Sequence, residues 1–134
     1  FHILGRLAFG FLLVGISEEI LFRGLFHTWL ARSWTGVVRV RGVEMPMAGI
    51  VATLVFTLAH VGFRVTPFEV FHLVPLQLVQ ALVLGFFYSW AYHRTGSLLA
   101  PVVAHNFSDG ALWLGEYLLI GVEATTGALP LVGG

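Results

Sequence analysis

The sequence predicts an all-α, polytopic bundle of membrane helices, and the prediction depends on composition and on the pattern of apolar residues. Of the 134 residues, 57% are hydrophobic and 10% are charged. A soluble domain carries about 25% charged residues, so this chain has too few to cover a water-exposed surface. The apolar runs are continuous rather than alternating, and the mean hydropathy is +0.89. Long continuous runs are typical of spanning helices.

Charge and cysteine content exclude several classes of function. The formal net charge is +0, so the chain lacks the basic excess that would neutralise phosphates, and we expect no nucleic-acid partner. The absence of cysteine excludes a disulfide framework, a thiolate zinc site and a cysteine nucleophile. The abundance of Phe, Leu and Val excludes a disordered chain.

The length fits a single domain, which we place at residues 1–134. The chain begins inside an apolar run without an initiating Met, so we expect a domain excised from a longer protein. Residues 122–134 are predicted to form a fraying tail. About four spanning or partly spanning helices are predicted, at residues 7–31, 47–61, 71–92 and 98–120.

The linkers between these helices suggest an orientation. The positive-inside rule compares arginines on alternate sides of the bundle. One side carries Arg32, Arg39, Arg41 and Arg94, and the other carries Arg6 and Arg64. We therefore predict that residues 32–46 and the tight turn at residues 93–97 face the cytoplasm. The predicted location is a bacterial plasma membrane, in which the chain is an integral, multi-pass protein with the lipid bilayer as a partner.

Three ionisable residues lie close together in the first predicted helix. Such groups are costly inside a bilayer and are therefore candidates for function. Glu19 and Arg23 are four residues apart, so they share a helix face and are predicted to form a structural ion pair. Glu18 is rotated about 100° from Glu19 and is predicted to face an aqueous cavity as a general base. A purely structural cluster of all three residues is the alternative.

Two further helices bring polar groups to a similar depth. His105 and Asp109 are four residues apart on the fourth helix, where the carboxylate is expected to orient the imidazole. His60 ends the second helix. Counted at about 1.5 Å per residue from the cytoplasmic side, Glu18 and His60 lie at about 20 Å, and His105 and Asp109 at roughly 10–18 Å. The sequence therefore predicts one site, although helix-end and helix-packing roles for the histidines remain alternatives.

These residues form three motifs in a fixed order along the chain: Glu18-Glu19-x-x-x-Arg23, Phe56-x-x-x-His60 and His105-x-x-x-Asp109. Together they resemble the motifs of the CPBP family, the CAAX-protease and bacteriocin-processing intramembrane proteases also called the Abi family. The turn at residues 95–98 is also similar. The resemblance covers residues 16–109 and implies the catalytic core of a larger bundle of this type.

The resemblance implies an intramembrane endopeptidase. Glu18 would be the general base, and His60 would help to hold the attacking water. His105 and Asp109 would stabilise the oxyanion, with Asp109 orienting His105 because an ionised carboxylate cannot donate a hydrogen bond. Glu19 and Arg23 would support the site. The implied substrate is a membrane-associated peptide or protein, such as a prenylated tail or a bacteriocin precursor.

Two alternatives remain at this point. Glu18, His60 and His105 could form a His₂Glu zinc site with an open position for water, although the chain has no His-Glu-x-x-His motif. We favour chemistry without a cofactor, with zinc as the alternative. A transporter or a non-catalytic adaptor would also place ionisable residues inside a membrane. No inverted repeat supports the transporter.

Overall fold

The computed structural model describes residues 2–126, and side chains up to residue 122. Residues 2–31 are helical throughout but not uniform. They comprise α1 (His2–Phe9), a first π segment (Gly10–Val14), α2 (Gly15–Glu19), a second π segment (Ile20–His27) and α3 (Thr28–Ala31). π-Helical turns are rare and occur frequently at functional sites. The two π segments directly flank the short α2 that carries Glu18 and Glu19.

Three further helices complete the bundle: α4 (Met47–Leu58), α5 (Pro75–Thr95) and α6 (Leu99–Thr126). Pro75 begins α5, where its missing N–H is not needed. The helix ends at Gly96, whose positive φ of 65° allows its N–H to bond to the Tyr92 carbonyl at 2.8 Å. The tight turn predicted at residues 93–97 is therefore present.

The helical class is confirmed, but the predicted spans need correction. No helix within residues 2–126 is both long enough and apolar enough to cross a bilayer. Helix α4 has 12 residues, and the first predicted span is divided by the π segments. The third predicted helix also begins later than expected, because residues 71–72 belong to a strand. Helix α6 extends into the predicted tail, and residues 127–134 lie outside the described part of the chain.

Two short antiparallel hairpins replace predicted linkers, so the chain is not purely α-helical. The first pairs β1 (Val37–Val40) with β2 (Val43–Pro46), and the second pairs β3 (Gly62–Arg64) with β4 (Glu69–His72). In the first hairpin, Arg41 and Gly42 both have positive φ, as a two-residue primed turn requires. β-Branched residues around an Arg-Gly pair are the local signal that favours this strand pair.

The interior of the bundle is small and partly polar. Its buried apolar side chains are mostly alanines, together with Phe56 and Tyr88. Glu19, Arg23 and Thr53 are also fully buried, whereas large apolar residues on every helix are exposed. Helix α5 approaches closely at Gly85, where a Cβ would lie 3.3 Å from Arg23 Nη2. One ion pair therefore lies inside the bundle, and many large apolar side chains lie on its surface.

Candidate active site

The ion pair predicted between Glu19 and Arg23 is present and fully enclosed. Arg23 Nη1 lies 2.7 Å from Glu19 Oε1, and both side chains are 0% exposed. Arg23 also donates from Nη2 to the Gly85 carbonyl at 2.9 Å and from Nε to Ser89 Oγ at 3.4 Å. The pair therefore connects the first helix to α5.

Glu19 has a second partner that the sequence did not predict. The same atom, Glu19 Oε1, lies 2.7 Å from His105 Nδ1. Because this oxygen accepts from Arg23, we assign the proton to Nδ1, which donates to it. The other ring nitrogen, Nε2, is then the atom that His105 directs toward Glu18 and Asp109. Glu19 fixes the orientation of this imidazole.

The structure shows no hydrogen bond by which Asp109 would orient His105, although the two side chains lie within ion-pair distance. Asp109 Oδ2 lies 3.6 Å from His105 Nε2, which is beyond hydrogen-bond distance. The two residues do lie one turn apart on α6, as their spacing predicted. The imidazole instead extends across the helix interface, so its hydrogen bond goes to the first helix.

Glu18 also approaches His105 Nε2, and unlike Glu19 it is accessible. Its side chain is 35% exposed, and its Oε2 lies 3.7 Å from that nitrogen. Glu18 and Asp109 thus flank one nitrogen, while Glu19 holds the other. The predicted division between an enclosed Glu19 and an accessible Glu18 is present in the structure.

His60 reaches the site from the turn that follows α4. Its Nδ1 lies 2.9 Å from the Phe56 carbonyl oxygen, which can only accept, so Nδ1 carries the proton. In the neutral ring, Nε2 is then free to accept a hydrogen bond. The Phe56 ring lies between the two histidines, with centroid distances of 4.8 Å to His60 and 5.7 Å to His105.

One cavity of about 560 Å³ joins these groups. Its walls include Glu18, His60, His105 and Asp109, which come from three separate parts of the chain. Glu19 and Arg23 do not line it and lie behind His105. The structure therefore brings together four of the six predicted site residues and places the other two in support.

Tyr88 is a neighbour of His105 that sequence reasoning missed. Its ring stacks on the imidazole at a centroid distance of 4.7 Å and an angle of 16°. The Tyr88 hydroxyl lies 2.5 Å from Ser108 Oγ, which itself donates to the His105 carbonyl at 2.9 Å. The sequence does not mark Tyr88 as a site residue, because an aromatic residue in an apolar helix is typical of packing or of the membrane interface.

Asn106, the neighbour of His105 in the chain, contacts the first helix. Its Oδ1 accepts the backbone N–H of Gly15 at 2.6 Å. This N–H lies at the junction of the first π segment and α2. A Cβ at Gly15 would lie 2.8 Å from the same oxygen and 2.9 Å from His105 Cβ. Glycine therefore permits the close approach that seats α6 against the first helix.

The residues proposed for zinc do not form a metal site in the described part of the chain. There, no group of three or more His, Cys, Asp and Glu side chains has an arrangement that could hold a metal ion. The His105 Nδ1 contact with Glu19 leaves Nε2 as the ring nitrogen that faces the cavity. The set Glu18, His60 and His105 thus shares a cavity without the arrangement of a ligand cluster.

Comparison with known proteins identifies the family of the chain. Residues 1–111 match the family described as Rce1-like, Type II CAAX prenyl endopeptidase Rce1-like. The comparisons with curated proteins and with solved structures found no match. The matched region contains all three motifs and every residue of the site described above. The resemblance to the CPBP family is thereby confirmed, and the chain belongs to the Rce1-like family of type II CAAX prenyl endopeptidases.

Proposed function

We propose that this protein is an intramembrane endopeptidase that hydrolyses a peptide bond of a membrane-associated protein or peptide. The observation that carries the proposal is the setting of His105 Nε2, which faces Glu18 and Asp109 at 3.7 and 3.6 Å in one cavity. The family match supports peptide hydrolysis as the reaction class. The substrates that this family implies are prenylated tails, and bacteriocin precursors are the second class.

Glu18 acts as the general base in this mechanism. It accepts a proton from a water molecule that His60 Nε2 helps to hold, and the oxygen attacks the carbonyl carbon of the scissile bond. The proton on Glu18 then passes to the nitrogen of the leaving amine as the carbon–nitrogen bond breaks. Glu18 is suited to this step because it lies at the cavity wall and its Oε2 is near the imidazole of His105.

His105 stabilises the oxyanion when its Nε2 carries a proton. The Nδ1–H bond to Glu19 holds the ring, so Nε2–H is directed before the reaction begins. Two carboxylates balance the resulting imidazolium, Glu19 at 2.7 Å and Asp109 at 3.6 Å. Arg23 forms the buried ion pair with Glu19 at 2.7 Å and takes no part in the chemistry.

The bilayer is the proposed environment of the domain. The exposed helix surfaces are apolar, whereas Glu19, Arg23 and His105 are buried. This distribution is the reverse of that in a soluble bundle and fits a protein surrounded by lipid. A substrate that is itself anchored in the membrane would reach the cavity by lateral diffusion.

The first test replaces the general base. Glu18→Gln should reduce cleavage of a farnesylated peptide with a C-terminal CAAX motif by at least about 100-fold, because the amide cannot accept the proton. Cleavage is measured in proteoliposomes by mass spectrometry, and thermal unfolding should remain unchanged. Glu44→Gln, in the exposed hairpin pair with Arg39, is the matched control and should cleave normally. A fully active Glu18→Gln protein would disprove the assigned role.

The same assay tests the zinc alternative. For metal-free glutamate chemistry, we expect an incubation with a strong zinc chelator to leave the initial rate unchanged. Loss of activity with the chelator, followed by its return on addition of zinc, would instead support a zinc-dependent protease. Zinc content of the purified protein, measured by mass spectrometry, gives an independent readout.

A further inference from the structure

The cavity continues beyond the residues used in the mechanism. Helix α6 lines it with His105, Asp109, Leu112, Trp113 and Glu116, at spacings of four, seven, eight and eleven residues from the histidine. These spacings place the residues on one face of a helix. Glu116 lies about 16 Å from His105 along the helix axis. The face therefore leads away from the proposed catalytic groups to a carboxylate at the far end.

The wall at this far end is held firmly in place. The Trp113 ring stacks against Phe9 at a centroid distance of 6.4 Å, and the Arg6 guanidinium lies 5.4 Å from its centroid. A Cβ at Gly10 would come within 2.7 Å of the same ring. Trp113 is therefore fixed on several sides, as the wall of a binding cavity must be.

Glu116 differs from the other carboxylates of this cavity because no ion-pair contact of the described residues includes it. Glu18 and Asp109 each lie within 4 Å of His105 Nε2 and share its single positive charge when the ring is protonated. Among the residues that the structure describes, no ion pair involves Glu116, and no Lys or Arg lines the cavity. Arg6 lies over Trp113 and Tyr117 and does not line the cavity. Helix α5 lines the same cavity with the neutral side chains Gln77 and Gln80.

We propose that Glu116 is a specificity-determining residue that selects a substrate with a Lys or Arg several residues before the scissile bond. This inference rests on the proposed endopeptidase function. An extended peptide advances about 3.3 Å per residue, so a distance of 16 Å corresponds to about five residues. The three residues after a prenylated cysteine would span only about 10 Å. The segment before the cysteine therefore occupies the Glu116 end.

The chemistry of such substrates matches this charge. Prenylated C-terminal motifs are usually accompanied by basic residues before the cysteine or by a second, palmitoylated cysteine, and the first of these two classes carries the matching charge. A cation at the Glu116 end is attracted, and an anion there is repelled by Glu116 and by the carboxylates further along the cavity. The site thus distinguishes substrates by the sign of one side chain far from the reacting bond.

Three farnesylated decapeptides test the proposal. They differ only at the fifth residue before the cysteine, which is Lys, Gln or Glu. We expect wild-type kcat/KM for the Lys peptide to exceed that for the Glu peptide by about fivefold, and the ratio to fall at high salt. Glu116→Gln should bring the ratio close to one, and Glu116→Lys should invert it. Glu44→Gln should keep the wild-type ratio.

Failure of this inference differs from failure of the proposed function. Equal rates for the three peptides, or an unchanged ratio in Glu116→Gln, would overturn the role of Glu116 even if Glu18→Gln is inactive. Should turnover be too slow, the same peptides labelled with a fluorophore are titrated onto Glu18→Gln and onto the Glu18→Gln, Glu116→Gln double variant. Tighter binding of the Lys peptide only when Glu116 is present supports the proposal, and equal binding overturns it.

Discussion

At the scale of single residues, the most informative atom is Glu19 Oε1. It accepts from Arg23 and from His105, each at 2.7 Å. The i, i+4 spacing predicted the first contact because it depends on helix geometry alone. The second contact joins residues 86 positions apart, so it depends on the packing of α6 against the first helix. Sequence spacing could not predict it, and Asp109, one turn from His105, was chosen in its place.

The shared oxygen leads to a prediction about stability. Glu19→Gln should lower the free energy of unfolding by about 3–5 kcal/mol, because Arg23 then remains as an uncompensated charge in the interior. Activity should fall as well, since His105 loses the carboxylate that orients it. Thermal unfolding in detergent and peptide cleavage measure the two effects separately.

A double variant is the control for this prediction. Replacing both partners in Glu19→Leu, Arg23→Leu removes the buried charges together and should recover part of the lost stability. Activity should not return, because His105 still has no acceptor for its Nδ1–H. Equal stability of Glu19→Gln and the wild-type protein would contradict the structural role of the pair.

At the scale of secondary-structure elements, the helices could be predicted and the hairpins could not. Long apolar runs predicted helices near residues 47–61, 71–92 and 98–120, and α4, α5 and α6 lie there. The first hairpin is exposed, so burial contributes little to its pattern. The π segments were also missed, because their sequence has the same apolar character as an α-helix. Short exposed strands and π turns depend on local backbone geometry that hydropathy does not report.

One junction between these elements can be tested directly. A methyl group at Gly15 would lie 2.9 Å from the Val102 carbonyl oxygen and would meet the two α6 side chains described above. Gly15→Ala should therefore displace α6, lower stability by about 1–3 kcal/mol and reduce cleavage. Gly5→Ala is the matched control, because nothing lies within 4 Å of its added carbon. That control should be as stable as the wild-type protein or more so. A fully active Gly15→Ala protein would argue against this close packing.

At the scale of the whole molecule, the sequence predicted which residues would lie together but not the contacts that each of them makes. Helix rise and linker positions predicted similar depths for four residues: Glu18, His60, His105 and Asp109. These four side chains line one cavity. Tyr88 and Glu116 acquire significance only when the cavity is known. Separate helices contribute to this cavity, so its extent depends on tertiary packing rather than on any one motif.

The predicted orientation of the whole molecule in the bilayer can also be tested. The chain has no cysteine, so single-cysteine variants can be labelled without background. Under the alternating arrangement, Arg39→Cys and Arg94→Cys should react with a membrane-impermeant maleimide only from the cytoplasmic side, and Arg64→Cys only from the other. Intact bacterial cells and inverted vesicles provide the two sides.

The decisive comparison is between Arg39→Cys and Arg64→Cys, which lie in the hairpins before and after α4. This helix has 12 residues and is about 18 Å long, whereas a hydrocarbon core is about 30 Å thick. The second hairpin reaches the opposite side only if the membrane is thinned or if the residues after α4 continue across it. Labelling of both variants from one side would therefore show that α4 ends within the bilayer, and it would disprove the alternating arrangement.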